Sequence, residues 1–306
     1  MILITGAAGF IASAIAEAFN KRSYKTITID NLSTGYKENV PKSTVFIKGD
    51  CGDQEVIQQL DDYDVEAIVH FSGQSSGEVS FYNPLADQKS NTTSTILLAK
   101  YAKERGIKKF IYASSMSVYG DSTVLPVDEI FTTTPKSFYA VGKLASEHYL
   151  RINSSDDFKT VALRLFNVYG PGQNLKNMNQ GMLSIYLAQA LRNNEIVVKG
   201  SLERFRDLVY IQDVVNAVML FFDNELDVNY DVYNVSNSYP VKVIEMIDAI
   251  KSSTDKNMNV VEIEGTPGDQ FGIYGSNEKL KALGWAPGTK HEEGIHNMIQ
   301  WAKENI

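Results

Sequence analysis

The sequence predicts an α/β fold, a parallel sheet with helices on both faces followed by a smaller mixed lobe. In the first half of the 306 residues, short β-branched runs alternate with segments of helical periodicity. This alternation is typical of parallel sheets that are covered on both sides. After about Asn167 the segments become shorter and more mixed, which leaves too little chain for a second core of equal size.

The first half, residues 1–167, is predicted to form one domain. Its first helix, Phe10–Asn20, carries Ile11, Ile15 and Phe19 at helical spacing, and a second helix, Ala86–Arg105, ends before Gly106. The predicted strands are Ile2–Thr5, Thr26–Asp30, Thr44–Lys48, Ala67–Phe71, Lys109–Ser114 and Thr160–Phe166.

Residues 168–306 are predicted to form the smaller lobe, and part of 207–235 is expected to return to the first domain. The boundary is marked by Gly170–Gly172 and the asparagine-rich stretch Asn174–Gln180, both typical of loops. The predicted elements of this lobe are a helix near Met182–Asn193, a strand near Glu195–Lys199, and helices near Asp213–Phe222 and Val243–Ser252.

Composition argues against several classes of protein. The net charge of -8 disfavours a nucleic-acid surface. Cys51 is the only cysteine, so an intrachain disulfide is excluded, and the four histidines lack the spacing of a zinc site. Apolar runs are too short to cross a bilayer and no signal-peptide pattern opens the chain, so we expect a cytoplasmic protein without a metal or a membrane partner.

A glycine-rich turn follows the first predicted strand and opens the first helix. Gly6 permits a tight turn, Gly9 lets the backbone approach a pyrophosphate at the helix N-terminus, and Ala12 allows close packing of helix on strand. This context is the one that a dinucleotide-binding motif requires, although such turns can also be purely structural. It predicts a doubly wound sheet of the Rossmann type.

Two aspartates follow the next strands. Asp30 ends the second strand, where a carboxylate can bind the adenosine ribose and repel a 2′-phosphate, which favours NAD over NADP. A helix cap or turn is the alternative role for Asp30. Asp50, before Cys51, could lie near the adenine amino group, and a plain turn residue explains it equally well.

Tyr139 and Lys143 are four residues apart in a segment of helical periodicity, so both side chains share one face. Free tyrosine is a poor base, but a nearby ammonium and an oxidised nicotinamide ring favour its phenolate. Such a tyrosine can take a proton from a sugar or alcohol hydroxyl and return it later. An exposed pair is the alternative.

Ser114 and Ser115 end the fifth predicted strand, at the edge of the sheet where open α/β folds bind ligands. A serine hydroxyl there can hydrogen-bond a substrate oxygen and share its proton with Tyr139. The alternative role for this pair of serines is a helix cap or a turn.

Over nearly its whole length the chain resembles the extended short-chain dehydrogenases that act on nucleotide sugars. The matching segments are Gly6–Ala12, Asp30–Gly35, His70–Gly73, Ser114–Gly120, Tyr139–Lys143, Arg164–Asn167, Arg206–Asp213, Gly268-Asp269 and Leu283–Trp285. The resemblance implies an NAD-binding first domain, a second lobe that binds a nucleotide sugar, and a homodimer formed by helices Ala86–Arg105 and Phe138–Ile152.

The resemblance also implies roles for single residues. Ser115, Tyr139 and Lys143 would be catalytic, and Tyr139 and Lys143 would also contact the cofactor. The other cofactor-binding residues would be Gly6, Gly9, Phe10, Ile11, Asp30, Asn31, Asp50, Cys51, Phe71, Ser72, Gly73, Asn91 and Phe166. The substrate-binding residues would be Gln74, Ser115, Tyr139, Asn167, Arg206 and Asp269. Arg206 would bind the diphosphate, and a surface salt bridge with Asp207 is its alternative.

The residues after Ser115 favour one reaction of this family. Members that dehydrate or decarboxylate the sugar resemble one another in carboxylates at these positions, whereas this chain has Met116 and Ser117. The remaining chemistry needs only a base and a hydride carrier, which implies a UDP-hexose 4-epimerase. A reductase or dehydrogenase of a nucleotide ketosugar is the first alternative, and a non-catalytic NAD-sensing protein is the second.

The chain departs from the epimerase pattern at the diphosphate. Thr266 stands where an arginine is usual, so phosphate binding must rely on Arg206 or on another cation such as Arg204. The residue near the C2 substituent of the sugar aligns with Ile273, a medium-sized apolar side chain that would admit an N-acetyl group.

Overall fold

A computed structural model of the chain describes residues 1–254, 258–265 and 270–305. The strands, numbered along the chain, are β1 (Ile2–Thr5), β2 (Thr26–Asp30), β3 (Val45–Lys48), β4 (Ala67–His70), β5 (Lys109–Ser115), β6 (Lys159–Leu165), β7 (Asn167–Tyr169), β8 (Glu195–Lys199), β9 (Phe205–Tyr210), β10 (Tyr230–Val235), β11 (Pro240–Lys242), β12 (Asn259–Ile263) and β13 (Gly272–Ile273).

The α-helices connect these strands and cover the sheet. They are α1 (Phe10–Lys21), α2 (Gln54–Gln58), α3 (Gly77–Tyr82), α4 (Pro84–Gln88), α5 (Ser94–Glu104), α6 (Phe138–Asn153), α7 (Met182–Arg192), α8 (Ile211–Asp223), α9 (Val243–Thr254), α10 (Glu278–Lys281) and α11 (His291–Asn305). Short 3₁₀ turns lie at Lys37–Asn39, Gln59–Asp62 and Met116–Tyr119.

The main sheet has seven strands in the order β10-β6-β5-β4-β1-β2-β3, and all of its pairings are parallel. The predicted α/β fold with a doubly wound parallel sheet is therefore confirmed. The order reverses between β1 and β4, and ligands of such sheets bind in the crevice beyond the carboxyl ends of the strands at this point. Gly6, His70 and Ser115 lie at or beyond these ends.

Both faces of the sheet are covered, which explains why its strands are apolar without interruption. In β1, Ile2 and Ile4 pack into a core cluster with α1 and α8, whereas Leu3 packs into a second cluster with α2 and α5. Side chains of a strand point alternately to the two faces. A strand that is buried on both faces therefore needs apolar residues at every position.

The remaining strands form a smaller, mixed region. β9 pairs with β7, β11 and β13, and β12 pairs with β8. Helices α7, α9 and α11 supply most of its apolar core. The structure has α7 and β8 where the sequence predicts a helix and a strand. β10 joins the edge of the main sheet beside β6. The division of the chain at residue 167 stays a prediction.

The predicted helix Ala86–Arg105 is wrong in one respect, because the structure has three pieces there. α4 and α5 are separated by a π-helical turn, Lys89–Thr93. Within it, the backbone carbonyl of Asn91 accepts hydrogen bonds from the Thr95 hydroxyl at 2.8 Å and the Ser146 hydroxyl at 2.9 Å. Such turns inside helices occur frequently at functional sites.

Candidate active site

The glycine turn packs tightly against the end of β4. Gly6 has a φ of +81°, and a Cβ on it would lie 2.9 Å from the Cα of Ser72. Both facts require glycine at this position. The close approach brings the predicted residues Phe71 and Ser72 beside the turn. Phe10 and Ile11 lie in the first turn of α1, where backbone N–H groups have no acceptor within the helix and suit a pyrophosphate.

The Asp30 carboxylate connects the end of β2 to the glycine turn. It accepts the Ala8 N–H at 3.0 Å and the Leu32 N–H at 2.8 Å. Beside it, the Asn31 amide donates to Asp50 at 3.1 Å. Cys51 is buried next to them, and burial raises the pKa of its thiol to about 12. The structure thus brings the predicted adenosine-binding residues together at the carboxyl ends of β2 and β3.

An open pocket of 280 Å³ adjoins these residues. Its walls are the segment 32–36, which follows β2, and the segment 174–177, which lies between β7 and α7. The Asn174 side chain donates to the Thr34 carbonyl at 3.4 Å across it. A pocket in this place is suited to the adenosine end of a dinucleotide.

Ser115, Tyr139 and Lys143 meet at the carboxyl end of β5. The Ser115 hydroxyl lies beside the Tyr139 phenol, where it lowers the pKa of that phenol, and it accepts a hydrogen bond from the Ser117 hydroxyl at 3.0 Å. The Lys143 ammonium donates to the Ala113 carbonyl at 2.9 Å, 5.8 Å from the centre of the Tyr139 ring. Lys143 is only 5% exposed, so the alternative of a surface pair is wrong. The catalytic roles of these residues stay a prediction.

Burial disfavours the charged forms of both Tyr139 and Lys143. Desolvation raises the pKa of Tyr139 to about 12; the neighbouring Ser115 hydroxyl opposes this rise and the Asp87 carboxylate adds to it. Desolvation also lowers the pKa of Lys143 to about 8, against the effect of Asp87. The phenolate therefore needs further positive charge before Tyr139 can act as a base near neutral pH. The cationic ring of an oxidised nicotinamide would supply it.

The two adjacent serines have different partners. Ser115 accepts from the Ser117 hydroxyl at 3.0 Å and lies beside Tyr139, whereas the Ser114 hydroxyl donates to Glu147 on α6 at 2.5 Å. Neighbouring residues of a strand point to opposite sides, which explains the separation. Glu147 is held by Arg164, whose Nε and Nη2 donate at 3.0 Å and 2.8 Å.

Asn91 lies between the predicted cofactor and substrate residues. Its amide donates to the Gln74 carbonyl at 2.9 Å and to Asp87 at 3.2 Å, and a Cβ on Gly73 would lie 2.4 Å from its Oδ1. Within the described part of the chain, that Oδ1 is buried without a hydrogen-bond partner, as is Oδ1 of Asn167. Buried acceptors of this kind are costly unless a ligand or water satisfies them.

Other predicted residues lie deeper than expected. Phe166 is 3% exposed within the core cluster that contains Val235, and Ile273 is fully buried on β13. The Gln74 amide is occupied by the Ser76 carbonyl at 2.7 Å and by Asp87 at 2.8 Å. Roles for these residues in binding remain predictions.

Arg206 is 3% exposed and Asp207 is fully buried, so the alternative of a surface salt bridge between them is wrong. Asp207 accepts backbone N–H groups of Asn237, Ser238 and Gly275. Arg206 donates to the Gln270 carbonyl at 2.9 Å, and Arg204, 5% exposed, donates to the same oxygen at 3.4 Å. Thr266, Gly268 and Asp269 lie outside the described residues, and the role of Asp269 stays a prediction.

Sequence reasoning missed two buried carboxylates, Asp87 and Glu147. Asp87 lies four residues before Asn91, and Glu147 lies four residues after Lys143. Helical spacing from the predicted site residues could have found both. What the sequence did not show is that they are buried, at 1% and 3% exposure.

Two further features concern ligands and membranes. Within 1–254, 258–265 and 270–305, the structure has no cluster of three or more His, Cys, Asp or Glu side chains suited to a metal ion. Over the same ranges, none of the helices combines the length and the apolarity that a membrane span needs.

Comparison with known proteins identifies the family. The model of the NAD dependent epimerase/dehydratase family matches residues 2–236. The chain belongs to this family. It is an NAD-dependent enzyme whose glycine turn, Asp30 and Tyr139–Lys143 pair lie within the matched segment.

Three full-length relatives extend the likeness over the second lobe. A Methanocaldococcus jannaschii protein provisionally named UDP-glucose 4-epimerase is 32% identical, with 100% of this chain and 99% of the relative covered. The UDP-glucose 4-epimerase of Thermotoga maritima, solved with UDP-glucose, has a TM-score of 0.94 at 30% identity, covering 99% of this chain and 98% of that chain. The Thermus thermophilus enzyme, solved with NAD, has a TM-score of 0.93 at 30% identity, covering 100% and 99%.

Proposed function

We propose that this protein is a nucleotide-sugar 4-epimerase, acting on UDP-glucose and UDP-galactose or on their N-acetylated forms. One observation carries the proposal: Ser115, Tyr139 and Lys143 converge at the sheet edge, and the 3₁₀ turn that follows begins with Met116 and Ser117. This set contains a base and its electrostatic partner. The two positions after Ser115 supply no carboxylate for elimination of water or loss of carbon dioxide.

The residues present fit NAD. The turn at Gly6 leaves no room for a Cβ, which is what a backbone cradle for a pyrophosphate requires. Asp30 ends β2 beside this turn, and Asn91 offers a buried acceptor without a partner. When bound, NAD accepts a hydride and gives it back.

The chain's own residues would handle the proton. The Tyr139 phenolate takes the proton of the C4 hydroxyl while Ser115 hydrogen-bonds the same sugar oxygen. Lys143 stabilises the phenolate through its charge and keeps its place through the Ala113 carbonyl. Loss of that proton and of the C4 hydride leaves a 4-keto sugar. After the sugar has turned over in the site, Tyr139 would return the proton to the C4 oxygen while the bound cofactor would supply the hydride to the other face of C4.

The nucleotide would be held by the second lobe. Arg206 and Arg204 approach one carbonyl on the segment before β13, and a planar guanidinium suits a diphosphate. The relatives solved with UDP-glucose and NAD support the choice of a UDP-sugar.

The decisive experiment is NMR of the purified protein with a panel of UDP-, GDP- and dTDP-sugars. We expect C4 epimers to form from UDP-sugars without added NADH. Turnover only of a ketosugar with added NADH would instead indicate a reductase, and absence of any reaction while NAD binds would indicate a sensing protein.

A substitution of the proposed base, Tyr139, tests the mechanism. Tyr139→Phe is expected to lower kcat by about 10³-fold or more while NAD still binds, because it removes the proton acceptor alone. Tyr63→Phe, half-buried at the end of the 3₁₀ turn Gln59–Asp62 and outside the site, is the control and should keep full activity. Full activity of Tyr139→Phe would remove Tyr139 from the mechanism.

We also propose a homodimer. The prediction placed its interface on Ala86–Arg105 and Phe138–Ile152. In this region of the fold, the exposed large apolar residues lie on α3, α4 and α6 rather than on α5. They are Phe81, Tyr82, Leu85, Phe138, Val141, Tyr149 and Ile152. The rings of Phe81 and Phe138 are 5.5 Å apart, which makes the patch continuous between α3 and α6. An apolar patch of this kind marks a protein interface.

Sedimentation velocity tests the dimer. Ile152→Asp should shift the protein to monomer, because it places a charge within the apolar patch. Ile130→Asp is the control, since Ile130 is 92% exposed in a loop outside the patch. A wild-type monomer, or equal effects of the two variants, would contradict the proposal.

A further inference from the structure

Asp87 is a buried carboxylate that the proposed mechanism leaves unused. It lies on α4 and is 1% exposed. Its Oδ1 accepts both amide hydrogen bonds of its neighbours, from Gln74 at 2.8 Å and from Asn91 at 3.2 Å. Among the residues that the structure describes, its Oδ2 has no hydrogen-bond partner. This division between the two oxygens leaves the carboxylate's charge without a cationic hydrogen-bond donor.

The free oxygen faces the helix that carries the candidate base. A Cβ on Gly142 would lie 3.6 Å from Oδ2. Gly142 immediately precedes Lys143 and follows Tyr139 by three residues, so Oδ2 lies against the turn of α6 that positions both side chains. In a buried site a charge acts on its neighbours with little screening.

Other groups around α6 do not take over this role. Glu147 is in the next turn but is paired with Arg164. On β4, burial lowers the pKa of His70 to about 3, so its ring is neutral. On β5, burial raises the pKa of Tyr112, which is therefore also neutral. Asp87 is the charged group that acts on the pKa values of both Tyr139 and Lys143.

We propose that Asp87 is a positioning residue for catalysis: it balances the positive charge gathered around Tyr139 and so sets the pH range in which the Tyr139–Lys143 pair works. This inference rests on the proposed function of the pair. With an oxidised nicotinamide beside Lys143, two positive charges would face one phenolate. The Asp87 carboxylate supplies the second negative charge and makes the buried group neutral, which avoids the cost of a buried net charge.

Asp87→Asn separates charge from structure. The asparagine carbonyl oxygen can take the place of Oδ1 and accept from Gln74 and Asn91, and its amide replaces the oxygen that has no partner. The variant thus keeps the hydrogen bonds and removes the charge. The control is Asp61→Asn, because Asp61 is an exposed aspartate paired with Arg105 at the end of α5.

The first measurement needs no substrate. NMR of cofactor-free protein with ¹³C-labelled lysine would follow the Lys143 signal, assigned by its loss in Lys143→Met. We expect Lys143 to titrate about one pH unit lower in Asp87→Asn than in wild type, since an attractive charge has been removed. Asp61→Asn should leave the titration unchanged. An unchanged titration in Asp87→Asn would overturn the proposal whether or not the enzyme is an epimerase.

The second measurement is the pH profile of kcat/KM. Loss of the negative charge lowers the pKa of both Tyr139 and Lys143, so both limbs of the profile should move to lower pH in Asp87→Asn. Asp87→Glu retains the charge and should return the profile to the wild-type position, even with a lower kcat. If Asp87→Asn fails to fold, Asp87→Ser removes the same charge. Loss of activity at all pH values without displacement of the limbs would show a structural role and refute the proposal.

Discussion

Glu147 and Asp87 are two buried carboxylates near Tyr139 and Lys143, Glu147 on the same helix α6 and Asp87 on α4, and their surroundings differ. Glu147 accepts two hydrogen bonds from the Arg164 guanidinium and one from Ser114. Asp87 accepts only from neutral amides, and one of its oxygens has no partner. Arg164 thus neutralises the charge of Glu147, whereas the charge of Asp87 acts on Tyr139 and Lys143.

The two carboxylates are therefore expected to have different roles, Glu147 in the stability of the fold and Asp87 in catalysis. The Glu147 ion pair connects α6 to β6 and, through Ser114, to the end of β5, so it fixes the strand ends that present Ser115. Arg164 also donates to the Tyr119 hydroxyl at 3.0 Å, and that hydroxyl donates to Asn234 on β10 at 2.6 Å. Asp87 is also hydrogen-bonded, to Gln74 and Asn91, but within the described part of the chain no ion pair neutralises its charge. The buried charge of Asp87 lowers the stability of the fold, and we expect it to be retained because it serves catalysis, as is common for active-site groups.

The largest expected effect comes from breaking the Glu147 ion pair. Arg164→Met should lower the free energy of unfolding by about 3–5 kcal/mol, because it leaves Glu147 charged and buried without its partner. Urea denaturation with a two-state fit measures this loss.

Arg22→Met is the control for that measurement. Arg22 forms an equally well-shaped pair with Asp223, but both side chains are about 40% exposed. Exposed pairs contribute about 0–1 kcal/mol, so this variant should be nearly neutral. Similar losses in the two variants would mean that burial does not distinguish the two ion pairs.

The next effect has the opposite sign. Burial lowers the pKa of Lys143 to about 8, so below that pH the native state holds a charge that it disfavours. This cost is relieved as the pH rises from 8 towards 10.5, where only the unfolded chain still binds the proton. Such a shift corresponds to about 3 kcal/mol, and loss of the bond to Ala113 offsets about 1 kcal/mol. Lys143→Met should therefore stabilise the cofactor-free protein by about 2 kcal/mol at neutral pH.

Denaturation at neutral and at strongly alkaline pH checks the sign. The advantage of Lys143→Met over wild type should shrink as the pH rises. A variant that is less stable than wild type at neutral pH would show that the Lys143 charge is well accommodated in the folded protein. Asp87 would then have a cation that compensates it, as Glu147 has, and the two carboxylates would differ less.

The sequence predicted the parts of the fold that depend on local pattern. β1 and β2 have the predicted bounds, because short apolar runs buried on both faces are recognisable by themselves. The return of part of 207–235 to the first domain was expected, but the pairing of β10 with β6 is not a local property, since 64 residues lie between Leu165 and Tyr230 and tertiary packing decides it. The π-helical turn at Asn91 was missed for the same reason, since its carbonyl is held by Ser146 on another helix.

The candidate site shows the same limit. Ser115, Tyr139 and Lys143 were found from spacing and from the order of the elements, and the structure brings them together. Asp87 and Glu147 were missed because an acidic residue on a helix is ordinarily exposed. Their burial depends on partners from other elements, Gln74 and Arg164, which no spacing along the chain connects to them.

The smallest expected effect is the stability of Asp87→Asn, and it tests the comparison most directly. Burial is the main cause that raises the pKa of Asp87 above 3.8. The ionised carboxylate therefore lowers the free energy of unfolding at neutral pH, and this loss disappears as the pH falls towards 3.8. Removing an unpartnered, buried charged oxygen should stabilise the cofactor-free protein by about 1 kcal/mol. The matched variant Glu147→Gln should instead destabilise it, because Arg164 would lose its counter-charge. Urea denaturation of both variants at neutral and mildly acidic pH measures these opposite signs. If both variants lost stability to the same extent, the two carboxylates would be equally structural and Asp87 would carry no free charge.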